Sequence, residues 1–147
     1  MNTLNFLDTN VWLALVWERH VHAKTARRWF EGREGEQFFF CRFTQLALLR
    51  LLTTPAVMGK DVRTMTGAWE IYDQCCMDDR IALLAEPDQL ETKFRLLASS
   101  RHSSPHVWAD AYLSAFASTA GLRLITFDKA LRSRAADCLI LGRRRVR

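Results

Sequence analysis

Phe38-Phe39-Phe40, within the stretch from Gln37 to Arg42, limits the fold more than any other feature of the chain. An apolar run without polar alternation belongs to a strand covered on both faces, as in a parallel sheet held between helical layers. Thr3 to Asp8, Arg80 to Leu84, Arg123 to Thr126 and Cys138 to Leu141 read as four further short strands. Helical segments fall between them: Asn10 to Trp17, Val21 to Phe30, Thr44 to Leu52, Val62 to Cys76, Asp88 to Ala98, Ser104 to Ala120 and Lys129 to Ala135. Pro55 ends the third, because it disfavours helical geometry at the residue before it. Asp88 with Glu91 makes a capping-box start. Ser104-Pro105 supplies an N-cap and a first helical proline, and Gly121 a stop. Alternating strands and helices predict an α/β fold with a parallel sheet covered on both faces. Sites in such sheets form beyond the carboxyl ends of the strands.

The chain has 147 residues, which predicts a single domain over 1–147 with a basic tail at 143–147. Its apolar content of 49% and charged content of 25% are those of a globular protein. The longest apolar stretch, Val11 to Trp17, is too short to cross a bilayer, and Met1 to Asn5 carry no basic leader. The expectation is therefore a cytoplasmic chain with no membrane partner. Cys41, Cys75, Cys76 and Cys138 form no C-x-x-C pair and no zinc spacing with the histidines, so they read as reduced, mostly buried thiols.

Net charge is +5, with Arg143, Arg144, Arg145 and Arg147 in the tail and Arg27-Arg28 in the second helix. Lys129, Arg132 and Arg134 follow directly on Asp128. A basic surface favours nucleic acid through steering and counterion release. The tail reads equally well as a solvated, disordered segment. The Lys129 to Arg134 cluster, beside a candidate carboxylate, is the better placed for phosphate contact.

Three segments each bring an aspartate to the end of an apolar element: Leu7-Asp8-Thr9-Asn10, Trp108-Ala109-Asp110-Ala111 and Thr126-Phe127-Asp128. Ionised carboxylates are costly to desolvate unless paired or bound to a cation. Oxygen ligands suit Mg²⁺ or Mn²⁺, and a phosphodiester complements the basic remainder. Asp8 and Asp128 also admit a plainer reading as N-caps of the helices that follow them. Asp110 does not. It is placed in the second turn of its helix, on one face with Leu113 and Ala117, where a solvated Asp has no polar stripe to join. Asn10 stands where an aspartyl-phosphate phosphatase needs a second Asp, and no glycine-rich phosphate loop or G-x-S-x-G elbow is present. What remains is metal-assisted hydrolysis.

These motifs resemble the PIN-domain ribonucleases, and among them the VapC-type toxins of bacterial type II toxin–antitoxin pairs. The likeness rests on Leu7-Asp8-Thr9-Asn10-Val11, Trp108-Ala109-Asp110-Ala111-Tyr112-Leu113 and Leu124-Ile125-Thr126-Phe127-Asp128. It extends to His22-Ala23-Lys24-Thr25-Ala26-Arg27-Arg28-Trp29 and Arg42-Phe43-Thr44-Gln45. The resemblance implies a three-layer α/β/α sandwich with a mainly parallel sheet. It also implies Mg²⁺- or Mn²⁺-dependent endonucleolytic cleavage of structured RNA such as tRNA, inhibition by a VapB-type antitoxin, and a homodimer. Carried over by position, Asp8, Asp110 and Asp128 are the catalytic and metal-binding carboxylates, with Asn10 and Thr126 in support. The sequence departs from the family pattern at Ala47, where a third-helix glutamate is usual. Gln45 is the nearest polar substitute and Glu18 the nearest carboxylate outside that helix. The departure keeps a second expectation open, a catalytically weak PIN domain that binds RNA or antitoxin.

Overall fold

The computed structural model describes residues 3–133, 135 and 137–142. Among these lie five strands, β1 (Leu4–Leu7), β2 (Gln37–Phe40), β3 (Ile81–Leu83), β4 (Arg123–Thr126) and β5 (Cys138–Ile140). They form one sheet in the order β3-β2-β1-β4-β5, every neighbouring pair parallel. The helices are α1 (Thr9–Val16), α2 (Ala23–Glu31), α3 (Arg42–Leu52), α4 (Pro55–Met58), α5 (Met65–Cys76), α6 (Leu90–Leu97) and α7 (Val107–Ala120).

The triple phenylalanine explains the layering. Phe38 and Phe40 point to one face of the sheet, into a core with Leu7, Ile125, and Trp12, Leu48 and Tyr72 from α1, α3 and α5. Phe39 points to the other face, into a core with Phe6, Leu124, and Leu113, Phe116 and Leu90 from α7 and α6. Strand side chains alternate faces, so a run that is apolar at every position needs helices on both sides. Aromatic stacking fixes each layer: Trp12 lies 3.8 Å from Phe40, and Phe116 lies 4.7 Å from Phe6. The expected α/β/α arrangement with a parallel sheet is the one observed.

Several expected boundaries move. The helix expected over Val62–Cys76 begins only at Met65, where Thr64 caps it by accepting from Gly67 N. Before it, Pro55 opens the short α4 instead of merely ending α3, and Gly59 turns at φ 56°. Asp88 does not cap α6. Gln89 takes the N-cap position in the left-handed region at φ 70°, without a side-chain cap bond. Ser104-Pro105 forms a turn in which Ser104 O accepts from Val107 N, and α7 starts two residues past the proline. Asp110 therefore lies in the first turn of α7 rather than the second. Gly121 closes α7 at φ 69°, as expected. The segment expected as a helix after Asp128 is a tighter 3₁₀ turn over Lys129–Ser133. Of the cysteines only Cys41 is buried, Cys76 is exposed, and all four are free thiols.

Candidate active site

In a strand order of 3-2-1-4-5 the winding reverses between β1 and β4, and ligands bind beyond the carboxyl ends at such a switch point. Asp8 directly follows β1, and Asp128 lies two residues past β4. The backbone there is pinned: Asp8 N donates to Ile125 O at 2.9 Å and Leu141 N to Thr126 O at 2.8 Å.

Thr126, fully buried at the end of β4, connects the two carboxylate segments. Its hydroxyl donates to Asp8 Oδ2 at 2.8 Å and accepts from Asp128 N at 3.0 Å. Asp8 Oδ1 accepts from Thr9 N at 2.7 Å. The capping reading of Asp8 is thus fulfilled by one oxygen, while the other is held by a residue 118 positions away. Among the described residues Asp8 forms no ion pair. Burial raises its carboxyl pKa above the ordinary value and the Asp128 charge adds to this, against the lowering effect of the Thr126 and Thr9 hydrogen bonds. A carboxylate held this way gains from a nearby cation.

Asp128 is exposed, and its Oδ1 accepts from Ala130 N at 2.9 Å, capping the 3₁₀ turn. Asp110 is half-buried. Its helix returns through Gly121 into β4, so the amino end of α7 points toward the carboxyl ends of the strands. Phe116 stacks on Phe6, and Asp110 lies six residues before Phe116, about 9 Å along the axis. Asp8 lies two residues beyond Phe6, about 7 Å along its strand. Asp110 and Asp8 therefore reach the same end of the sheet. The first turn of a helix also favours negative charge. Among the described residues, however, no three acidic, histidine or cysteine side chains converge into a ready-made metal nest.

The supporting candidates divide. Thr126 is in the cluster. Asn10 is exposed on the first turn of α1. Gln45 is buried but engaged elsewhere, accepting from Arg42 Nη1 and hydrogen-bonding Tyr72 of α5. Ala47 lines an apolar hollow of about 430 Å³ between α3 and α5, with Phe43, Leu46 and Trp69. Glu18 is a surface residue whose side chain is 83% exposed and lies 3.8 Å from Arg27. Lys129 and Arg132 are exposed beside Asp128. Arg134 and the 143–147 tail lie outside the described residues.

Sequence reasoning missed the backing of the Asp128 loop. His22 stacks on Phe127 at 4.4 Å, and His20 Nδ1 accepts from His22 N at 3.0 Å. The segment from His22 to Trp29 was singled out, but H-x-H has no regular periodicity that would have marked this contact. No helix among the described residues is long and apolar enough to cross a membrane.

The PIN domain family model matches residues 6–137. The chain belongs to the PIN-domain family. Among curated relatives it is 45% identical to Ribonuclease VapC41 of Mycobacterium tuberculosis over 128 residues, covering 84% of this chain and 88% of that one. Ribonuclease VapC39 of the same organism is 31% identical over 135 residues, covering 91% and 95%. These identities place the chain among the VapC ribonucleases of the family. In structure it is similar to VapBC2 from Rickettsia felis bound to a DNA fragment from their promoter, with a TM-score of 0.70 at 9% identity, covering 95% of this chain and all of that one. That likeness shows the fold.

Proposed function

We propose that this chain is an endoribonuclease, the toxin of a toxin–antitoxin pair, which hydrolyses structured RNA such as tRNA at a Mg²⁺ or Mn²⁺ centre. The observation that carries the reading is the half-buried Asp8, which forms no ion pair among the described residues and is joined through Thr126 to the Asp128 segment at the switch point of the sheet. The donor chemistry fits a hard cation: carboxylate oxygens at a strand end and a helix amino end, with no basic side chain among the described residues paired to Asp8. Mg²⁺ keeps several of its waters and needs only one or two carboxylates in addition to substrate phosphate, so a closed nest is not required. Asp8, Asp110 and Asp128 would hold it. When bound, the ion supplies a lowered pKa for the attacking water and charge stabilisation at the scissile phosphate.

The remaining work belongs to the chain's own groups. Thr126 and Thr9 each hold one oxygen of Asp8, which fixes the carboxylate and leaves a lone pair on each oxygen for the ion. Lys129 and Arg132 border Asp128 and receive backbone phosphates flanking the cut. The whole chain acts as one nuclease domain, paired as a homodimer in the cytoplasm and inhibited by a VapB-type antitoxin. The relatives' names support the ribonuclease, and the VapBC complex among the structural neighbours supports the antitoxin.

The test is cleavage of tRNA with titrated Mg²⁺ or Mn²⁺ by the wild type, Asp8→Asn and Asp110→Asn. Metal-dependent cuts in the wild type alone support the proposal. Equal cutting by either variant removes that residue from the metal set. One observation favours the second reading, an RNA- or antitoxin-binding module of weak activity: α3 offers only Ala47, facing an apolar hollow, and a Gln45 engaged with Arg42 and Tyr72.

A further inference from the structure

Trp108 is 59% exposed, although an indole is among the costliest side chains to leave in water. It stands at the amino end of α7, two residues before Asp110, in a near-perpendicular contact with Phe94 of α6, the ring centroids 6.1 Å apart at 82°. It lines a hollow of about 610 Å³ together with Ser100, His102, Ser103, Ser104 and Pro105. It also borders a smaller one of about 370 Å³, lined by Glu91, Phe94 and Arg95. The larger hollow lies in the size range of small-ligand sites. Its side-chain lining carries hydroxyls and an imidazole but no carboxylate, so a polyanion is not repelled. Hydroxyl and imidazole groups can both donate to and accept from the edge of a base.

We infer that Trp108 and the Ser100–Pro105 hollow form a subsite for one unpaired nucleobase of the RNA substrate, stacked on the indole. The inference rests on the RNA reading of the acidic cleft and assigns that cleft a neighbour. Residues 108 and 110 lie on nearly opposite sides of the helix, about a helix diameter of 10 Å apart. The stacked base therefore belongs to a nucleotide near the cut, not to the one being cut. Enzymes that recognise RNA read bases that can be splayed out of the stack, and aromatic side chains take such bases with little regard to sequence. The subsite thus favours a loop or an end over a continuous duplex.

The probe is fluorescein-labelled oligoadenylate, compared with an all-abasic ribose-phosphate strand of equal length. Binding is measured by anisotropy in EDTA, so that metal-dependent cleavage does not consume the probe. Trp108→Leu keeps apolar cover on Phe94 but removes the stacking face, and should weaken oligoadenylate roughly tenfold. Trp108→Phe should restore most of the affinity. Neither should alter the abasic strand, and the salt dependence should be unchanged because no phosphate contact is lost. Wild-type oligoadenylate affinity in Trp108→Leu would overturn the inference and leave the hollow to a protein contact or to none. Equal weakening of both strands would also overturn it. A wild-type chain that bound neither strand would also overturn the inference, whereas the RNA reading stands or falls separately on metal-dependent cleavage of tRNA.

Discussion

Asp8 and Asp128 are one device used twice, with different results. Each follows a central parallel strand, each caps the helical turn after it, and each touches the same Thr126 hydroxyl. At Asp128 the contact with Thr126 is made by the backbone N–H, and the carboxylate stands exposed. At Asp8 it is made by the carboxylate itself, which burial keeps from ionising easily. A cap explains the first. It leaves the second with a charge that a cation would relieve at neutral pH. Of two carboxylates in similar motifs, the one whose burial exceeds its hydrogen-bond support is the stronger ligand candidate.

The largest expected effect separates the two directly. Asp8→Asn should lower RNA cleavage by about two to three orders of magnitude, the scale of losing one electrostatic stabiliser. Asp128→Asn should lower it less, roughly tenfold, as for an exposed ligand whose place water can take. Initial rates under saturating Mn²⁺ give the ratio, and equal losses would erase the distinction.

Thr126→Val comes next, because it removes the link while keeping the β-branched shape. Activity should fall about 10–100-fold, with the loss appearing as weaker metal dependence. Thr126→Ser, which keeps the hydroxyl, should recover most of it. If Val and Ser behaved alike, the bridge would have no role in orienting Asp8.

The smallest effects concern charge. An acid whose folded-state pKa lies above its unfolded value opposes folding when ionised. That penalty is in full force above the folded value and disappears as pH falls through it toward the ordinary carboxylate value. Asp8→Asn should therefore raise the melting temperature at neutral pH, with the gain shrinking as the wild type protonates in acid. A gain constant across pH would point to packing instead. Lys129→Ala with Arg132→Ala should flatten the salt dependence of RNA binding by roughly one unit of slope per contact, and should slow turnover. Deleting 143–147 should weaken binding without moving the cut.

The same contrast shows what the sequence made legible. Strands and their layering were readable because Phe38, Phe39 and Phe40 admit no one-sided arrangement, and Gly121 stopped α7 where only a left-handed residue fits. Strand order was not readable, since buried parallel strands carry nearly interchangeable side chains. The aspartates were visible as exceptions to apolar patterns. The bond between Thr126 and Asp8 was not, because it joins residues 118 apart and depends on β1 lying beside β4. Local cap signals misled where the backbone had a competing solution: Gln89 in the left-handed region displaced Asp88, and the Ser104 turn took the proline that sequence placed inside α7. Gln45 is the nearest polar substitute for the family's third-helix glutamate in the sequence, but Arg42 and Tyr72 already engage it.

The central claim is that Asp8 and Asp110 hold a divalent ion, and calorimetric titration of the folded chain with Mn²⁺ tests it without RNA. The wild type should show saturable binding. Asp8→Asn and Asp110→Asn should each lose it while circular dichroism reports an unchanged fold. Undiminished Mn²⁺ binding by Asp8→Asn would contradict the account and leave that carboxylate as a cap alone.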